Sequence, residues 1–113
     1  MDKIQPIILK YEDGREYTLE FSRASVVFAE KNGFDINNIG GQLMTKLPEL
    51  FWYAFRMHHP NVTQKQAERI LFEDLGGITE EVTDRLIELY NQPYMTLVNE
   101  DGEPKNAQMK VLL

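Results

Sequence analysis

The stretch 47–60 of this chain holds four aromatic residues within five positions, Phe51, Trp52, Tyr53 and Phe55, and carries Pro48 and Pro60 at its two ends. Leu47, Leu50, Phe51, Ala54, Phe55 and His58 recur at three- and four-residue spacing, the period of an amphipathic helix. Trp52, Tyr53 and Met57 fall outside that stripe. A helix apolar nearly all round must be covered on most sides, by the rest of its own domain or by another protein. The segment therefore reads either as ordinary core or as a central helix with one face kept for a partner.

A chain of 113 residues is long enough to build one such core and short for two, so a single domain over 1–113 is expected. With 42% hydrophobic and 27% charged residues the composition is that of a globular domain and not of a disordered segment. The absence of cysteine excludes disulfides, thiol catalysis and thiolate-held metals. It also fits a reducing compartment such as the cytoplasm. The net charge of −6 repels phosphate backbones, and lysine and arginine stand singly among acids, so nucleic-acid binding is not expected. No apolar run has the length of a membrane span, and the first residues lack the apolar core of a signal peptide.

The chain opens with two β-rich runs, 7–11 and 16–21, joined through Asp13-Gly14, a strong hairpin signal. Tyr17, Leu19 and Phe21 are expected to face the helical part, with Glu16, Thr18 and Glu20 on the other side. Ser22 suits the N-cap of a helix over 22–32 that runs through Ala24, Val27, Phe28 and Ala29, and Gly33 suits its left-handed exit. Residues 35–39 fit one short helical turn. The aromatic helix then runs to His59 from Gln42 or Thr45, the later start being favoured because it places Pro48 in the first turn. Thr63 and Gln66 form a capping box for a third helix with Ala67, Ile70, Leu71 and Leu75 inward, ending at Gly76-Gly77. Thr79 caps a fourth with Val82, Leu86, Leu89 and Tyr90 as its stripe. The expected architecture is thus α+β. A hairpin over 1–21 packs on a helical core of about four helices over 22–92, followed by a C-terminal strand or flexible tail over 93–113, with strands at 94–98 and 108–113 and a turn at 99–102.

Little in this pattern promises catalysis or cofactor binding. His58 and His59 diverge by about 100° on a helix and do not converge on one metal; at a helix C-terminus they suit the dipole and the last carbonyls. Glu80, Glu81, Asp84 and Glu88 share a flank with Arg85, as on a solvated face. Neither glycine pair has the spacing of a phosphate-binding loop, and neither serine has a patterned histidine partner. An enzyme would need a cleft gathering His58, Glu73 or Asp74. The expectation is a non-enzymatic protein without metal or cofactor.

Glu20-Phe21-Ser22-Arg23 leading into Phe28-Ala29-Glu30-Lys31-Asn32-Gly33-Phe34, then Leu50-Phe51-Trp52-Tyr53-Ala54-Phe55 with His58-His59-Pro60, resembles the tail assembly chaperones of long-tailed phages and prophages of Gram-positive bacteria. The similarity covers roughly 17–90. It implies a small protein of the bacterial cytoplasm that binds the long helical tape measure protein and keeps it soluble while tail tube subunits polymerise around it. Phe51, Trp52, Phe55 and Met57 are then the candidate partner-binding residues, aromatic and methionine side chains being over-represented at such surfaces. The family commonly makes a longer form by ribosomal frameshifting, and Pro104-Lys105-Asn106 is compatible with a slippery codon run, as is Glu30-Lys31-Asn32. Homo-oligomerisation is a further expectation if apolar surface exceeds what the monomer buries. The alternative class is an adaptor or regulator whose acidic surface docks a basic partner.

Overall fold

The computed structural model describes residues 3–97 and 112–113. Its order is hairpin first, helices after, as the α+β pattern predicts. Strands β1 (Ile7–Lys10) and β2 (Glu16–Leu19) pair antiparallel with Ile7 opposite Leu19 and Leu9 opposite Tyr17. The turn closes through Tyr11 N–H to Arg15 O at 2.8 Å and Gly14 N–H to Tyr11 O at 3.0 Å. Gly14 takes φ +94°, the left-handed residue that a three-residue hairpin loop requires. Asp13 accepts both the Arg15 backbone N–H and its guanidinium.

Helix α1 (Arg23–Lys31) begins at a complete capping box, Ser22 and Ser25 each holding the other's backbone N–H, and leaves through Gly33 at φ +87°. A single 3₁₀ turn over Ile36–Asn38 follows, capped by Asp35. Helix α2 (Leu43–Tyr53) takes the earlier of the two expected starts, with Pro48 in its interior. The hydrogen bond that proline forfeits belongs to the carbonyl of Met44, an exposed residue (86%) near the start of the helix. The helix also ends sooner than His59. The Ala54 carbonyl is taken by the Glu20 backbone N–H at 3.0 Å, and the chain tightens to i→i−3 bonds at Phe55 and Arg56.

Helix α3 (Gln64–Arg69) starts at the Thr63–Gln66 capping box and widens into a π-helical turn over Ile70–Asp74, where Leu75 N–H reaches Ile70 O at 2.9 Å. Gly76 and Gly77, both at positive φ, end it. Helix α4 (Glu80–Leu97) is capped by Thr79 and continues through Pro93, so the strand expected at 94–98 is helix as far as Leu97. Tertiary contact overrides the proline: the Tyr94 hydroxyl donates to Glu30 of α1, and within α4 its ring lies tilted against Tyr90 at 6.2 Å. The expected turn at 99–102 lies outside the described residues, and so does most of the strand expected at 108–113; Leu112 and Leu113 are exposed and without regular structure.

The core is one cluster. Leu19 and Phe21 from the hairpin side meet Leu50, Phe51 and Phe55, with Leu86, Leu89 and Tyr90 of α4 closing it. Its aromatic rings pack edge to face, Phe51 on Phe55 at 5.2 Å and Phe21 on Tyr90 at 5.1 Å, the arrangement that ring quadrupoles favour. Among the described residues no helix is long and apolar enough to cross a membrane.

Candidate functional site

Helix α1 carries two apolar stripes, and only one is used inside the fold. Ser25, Val26 and Ala29 are buried, whereas Ala24 and Val27 are exposed and Phe28 is half-buried. Of the apolar residues along this helix, Val26 and Ala29 face the core, Ala24 and Val27 face solvent, and Phe28 packs at the core's edge. Its capping box fixes the rotation: Ser25 lies at the buried junction of β2 and α1, where its hydroxyl accepts the Ser22 N–H at 2.8 Å, and the helix phase follows from that anchor.

Two shallow grooves flank the outward stripe and share Val27. One lies between α1 and the turn after α2, floored by Ala24, Val27, Phe28 and Met57, with Lys31 and Arg56 at its margin. The other lies between α1 and the last turns of α4, where Val27 meets Pro93, Tyr94 and Leu97. Val27 and Met57 are each 42% exposed and Leu97 67%. Phe28 is held in place from beneath by Tyr53 at 6.0 Å and Trp52 at 6.5 Å, and from above by the Arg56 guanidinium at 3.8 Å from its ring centre. The stripe is thus ordered by the fold itself.

The four residues singled out in the aromatic segment do not share one surface. Phe51 and Phe55 are fully buried. Trp52 is half-buried, and its indole N–H donates to the Val62 carbonyl at 3.0 Å, which ties α2 to the start of α3. Met57 alone is exposed, and it borders the groove on α1. Sequence reasoning missed Val27, Phe28, Tyr94 and Leu97 as surface residues. Periodicity gave no signal for the first two, because residues 24, 27 and 28 and residues 26 and 29 make apolar stripes on opposite sides of the same helix.

His58 and His59 turn to the hairpin and not to helix carbonyls. His58 Nε2 lies 2.8 Å from Glu20 Oε1, and the other Glu20 oxygen is 3.2 Å from Lys3 Nζ. Glu20, expected on the outer face of its strand, is 6% exposed beneath these two side chains. Burial pushes its carboxyl upward, but hydrogen bonds from His58 and Lys3, and their charge, outweigh burial and hold it below the ordinary value. Glu73 lies within 3.9 Å of Arg69, and Asp74 accepts from the Tyr11 hydroxyl, so His58, Glu73 and Asp74 occupy three separate places. Among the described residues no three His, Cys, Asp or Glu side chains converge as a metal site would require. Glu80, Glu81, Asp84 and Glu88 are exposed along α4.

What this geometry offers is therefore a surface: an ordered apolar stripe on α1 between two grooves. The chain belongs to the family described as domain of unknown function DUF5055, which matches residues 2–113. No curated protein and no solved structure matches it.

Proposed function

We propose that the chain is a non-enzymatic binding protein that covers the apolar face of a helical polypeptide, and that it serves as a tail assembly chaperone. Its partner on this reading is a tape measure protein, kept soluble in the bacterial cytoplasm until tail tube subunits enclose it. The observation that carries the proposal is the second apolar stripe of α1. A nine-residue helix that spends Val26 and Ala29 on the core still leaves Ala24 and Val27 exposed and Phe28 only half-buried, continued by Met57 on one side and Leu97 on the other. Apolar surface kept exposed and ordered is what a holding protein needs, because it must cover a partner's helices without the energy of nucleotide hydrolysis. The resemblance of 17–90 to tail assembly chaperones supplies the particular partner.

The test is co-expression with the product of the next long reading frame downstream of the gene. The expected result is a soluble complex with the wild-type chain, and loss of that complex with Val27→Glu at an unchanged melting temperature. A neighbouring product that is soluble alone and does not bind, or a Val27→Glu variant that binds as well as wild type, overturns the proposal.

A further inference from the structure

The groove between α1 and Met57 differs in charge from the molecule around it. The chain holds 18 acidic and 12 basic side chains, yet the charged residues lining this groove are Lys31 and Arg56, both cations. Both are exposed, and among the described residues neither forms an ion pair. Arg56 is fixed by stacking on Phe28, so its guanidinium is held at the margin with N–H groups available to solvent. Glu30, the acid of the outer half of α1, lies on the other groove and is engaged by the Tyr94 hydroxyl.

We infer that this groove receives an amphipathic helix whose apolar stripe is bordered by aspartate or glutamate. The inference rests on the docking function proposed above and names the chemistry of the occupant. The apolar floor runs along α1 from Ala24 to Val27 and Phe28 and reaches the cation Lys31, seven residues on, or roughly 10 Å, two turns of a partner helix. A strand is not the occupant: it is held by main-chain hydrogen bonds at a sheet edge, and this floor is built of helical residues whose backbone groups are already bonded. Helix α4 of a second copy does not supply the helix either: its acids Glu80, Glu81, Asp84 and Glu88 border a stripe, Leu86, Leu89 and Tyr90, that is already buried.

The net charge of −6 repels an acidic helix at long range, but that field is screened beyond about 10 Å at ordinary salt, and at contact the two local cations set the preference. Solvent-exposed pairs of this kind are individually weak, so two of them are expected to shift affinity about fivefold in total.

Three labelled synthetic helices with one common leucine stripe, bordered by Glu, Gln or Lys, test the inference by fluorescence anisotropy against the full chain. The expected order of affinity is Glu, then Gln, then Lys, with the spread closing as salt rises to about 0.5 M. Lys31→Glu, at an exposed position, is expected to shrink the preference, and Lys31→Glu with Arg56→Glu to reverse it. Should the double variant fail to fold by circular dichroism, the single variant decides. If all three helices bind equally, or the Lys helix binds tightest, the charge preference is overturned while the docking surface stands, since the Gln helix measures docking alone. If none binds, both fall. A preference that survives Lys31→Glu unchanged places binding elsewhere and also overturns the inference.

Discussion

The backbone N–H of Thr18 donates to Nε2 of His59 at 2.9 Å, so an imidazole from the end of the aromatic segment closes the outer edge of β2. The ring also packs edge-on against Tyr17 at 5.1 Å. Two positions on, the Glu20 N–H is taken by the Ala54 carbonyl and the Glu20 carboxylate by His58. The hairpin, marginal by itself, is thereby stitched to the helical core at the end of its second strand.

An acceptor at Nε2 must be unprotonated there, which makes the stitch sensitive to pH. Burial, then the charge of His58, holds His59 below its ordinary value of 6.5. Between the two values the unfolded chain binds more protons than the folded one, so this contribution to stability is complete above 6.5 and is lost as pH falls toward the folded value. Glu20, also lowered from its ordinary 4.5, adds a second loss below that pH. Urea midpoints measured from about pH 8 down to pH 5 should fall for the wild-type chain. His59→Ala should be less stable at the upper end by about 1–2 kcal/mol, because the Thr18 N–H loses its partner, and should show a flatter limb. A wild-type midpoint that stays level across that range would remove His59 from this role.

The aromatic segment divides into residues that hold the fold and one that does not. Phe51→Ala and Phe55→Ala each empty a fully buried ring site, at an expected cost of about 3–5 kcal/mol, a large share of the stability of a small domain. Met57→Ala, at a 42% exposed position, should change stability by no more than about 0.5 kcal/mol. Denaturant titration of the three variants checks the division; a Phe51→Ala variant as stable as wild type would contradict the packing.

Local chemistry made most of this fold legible in the sequence. The Asp13-Gly14 turn, the Ser22, Thr63 and Thr79 caps, the short helical turn within 35–39 and the Gly33 exit are decided by residues within a few positions of one another, and each stands where the pattern puts it. What the sequence hid depends on distant partners. Helix α1 has nine residues and apolar side chains on both faces, so periodicity alone does not choose which face is buried. The end of α2 is set by Glu20, more than thirty positions earlier, and the passage of α4 through Pro93 by contacts to α1. The candidate site was hidden for the same reason: its residues carry the signature of core, and only the packing leaves Val27 exposed and Phe28 half-buried.

Pro93 gives a test of that override. It sits inside α4, where it has no N–H to offer the carbonyl one turn back, and a proline in a helix interior is about 3 kcal/mol less favourable than alanine. Pro93→Ala should therefore raise the melting temperature, with a gain of about 1–3 kcal/mol. Because Pro93 also lines the groove on α4, the same variant should weaken binding of a partner helix there. A lower melting temperature would mean that the ring's packing outweighs the missing hydrogen bond.

Tyr11 and Asp74 join the hairpin turn to the π-helical turn. The Tyr11 hydroxyl donates to Asp74, and this bond, then burial and the charge of Asp74, push the Tyr11 hydroxyl up to about 12. For a phenol raised in the folded state, the stabilisation is complete below the unfolded value of 10 and is lost as pH rises through 10 toward 12. Ultraviolet titration should show one of the five tyrosines ionising late for this reason, and Asp74→Asn should bring it back toward 10, since a neutral amide removes the repelling charge. Asp74→Asn should also flatten the alkaline limb of the stability profile. An unchanged titration in that variant would show that Tyr11 is not held by Asp74, and that the cleft between β1 and the π-helical turn is closed by packing of Leu9, Ile70 and Leu75 alone.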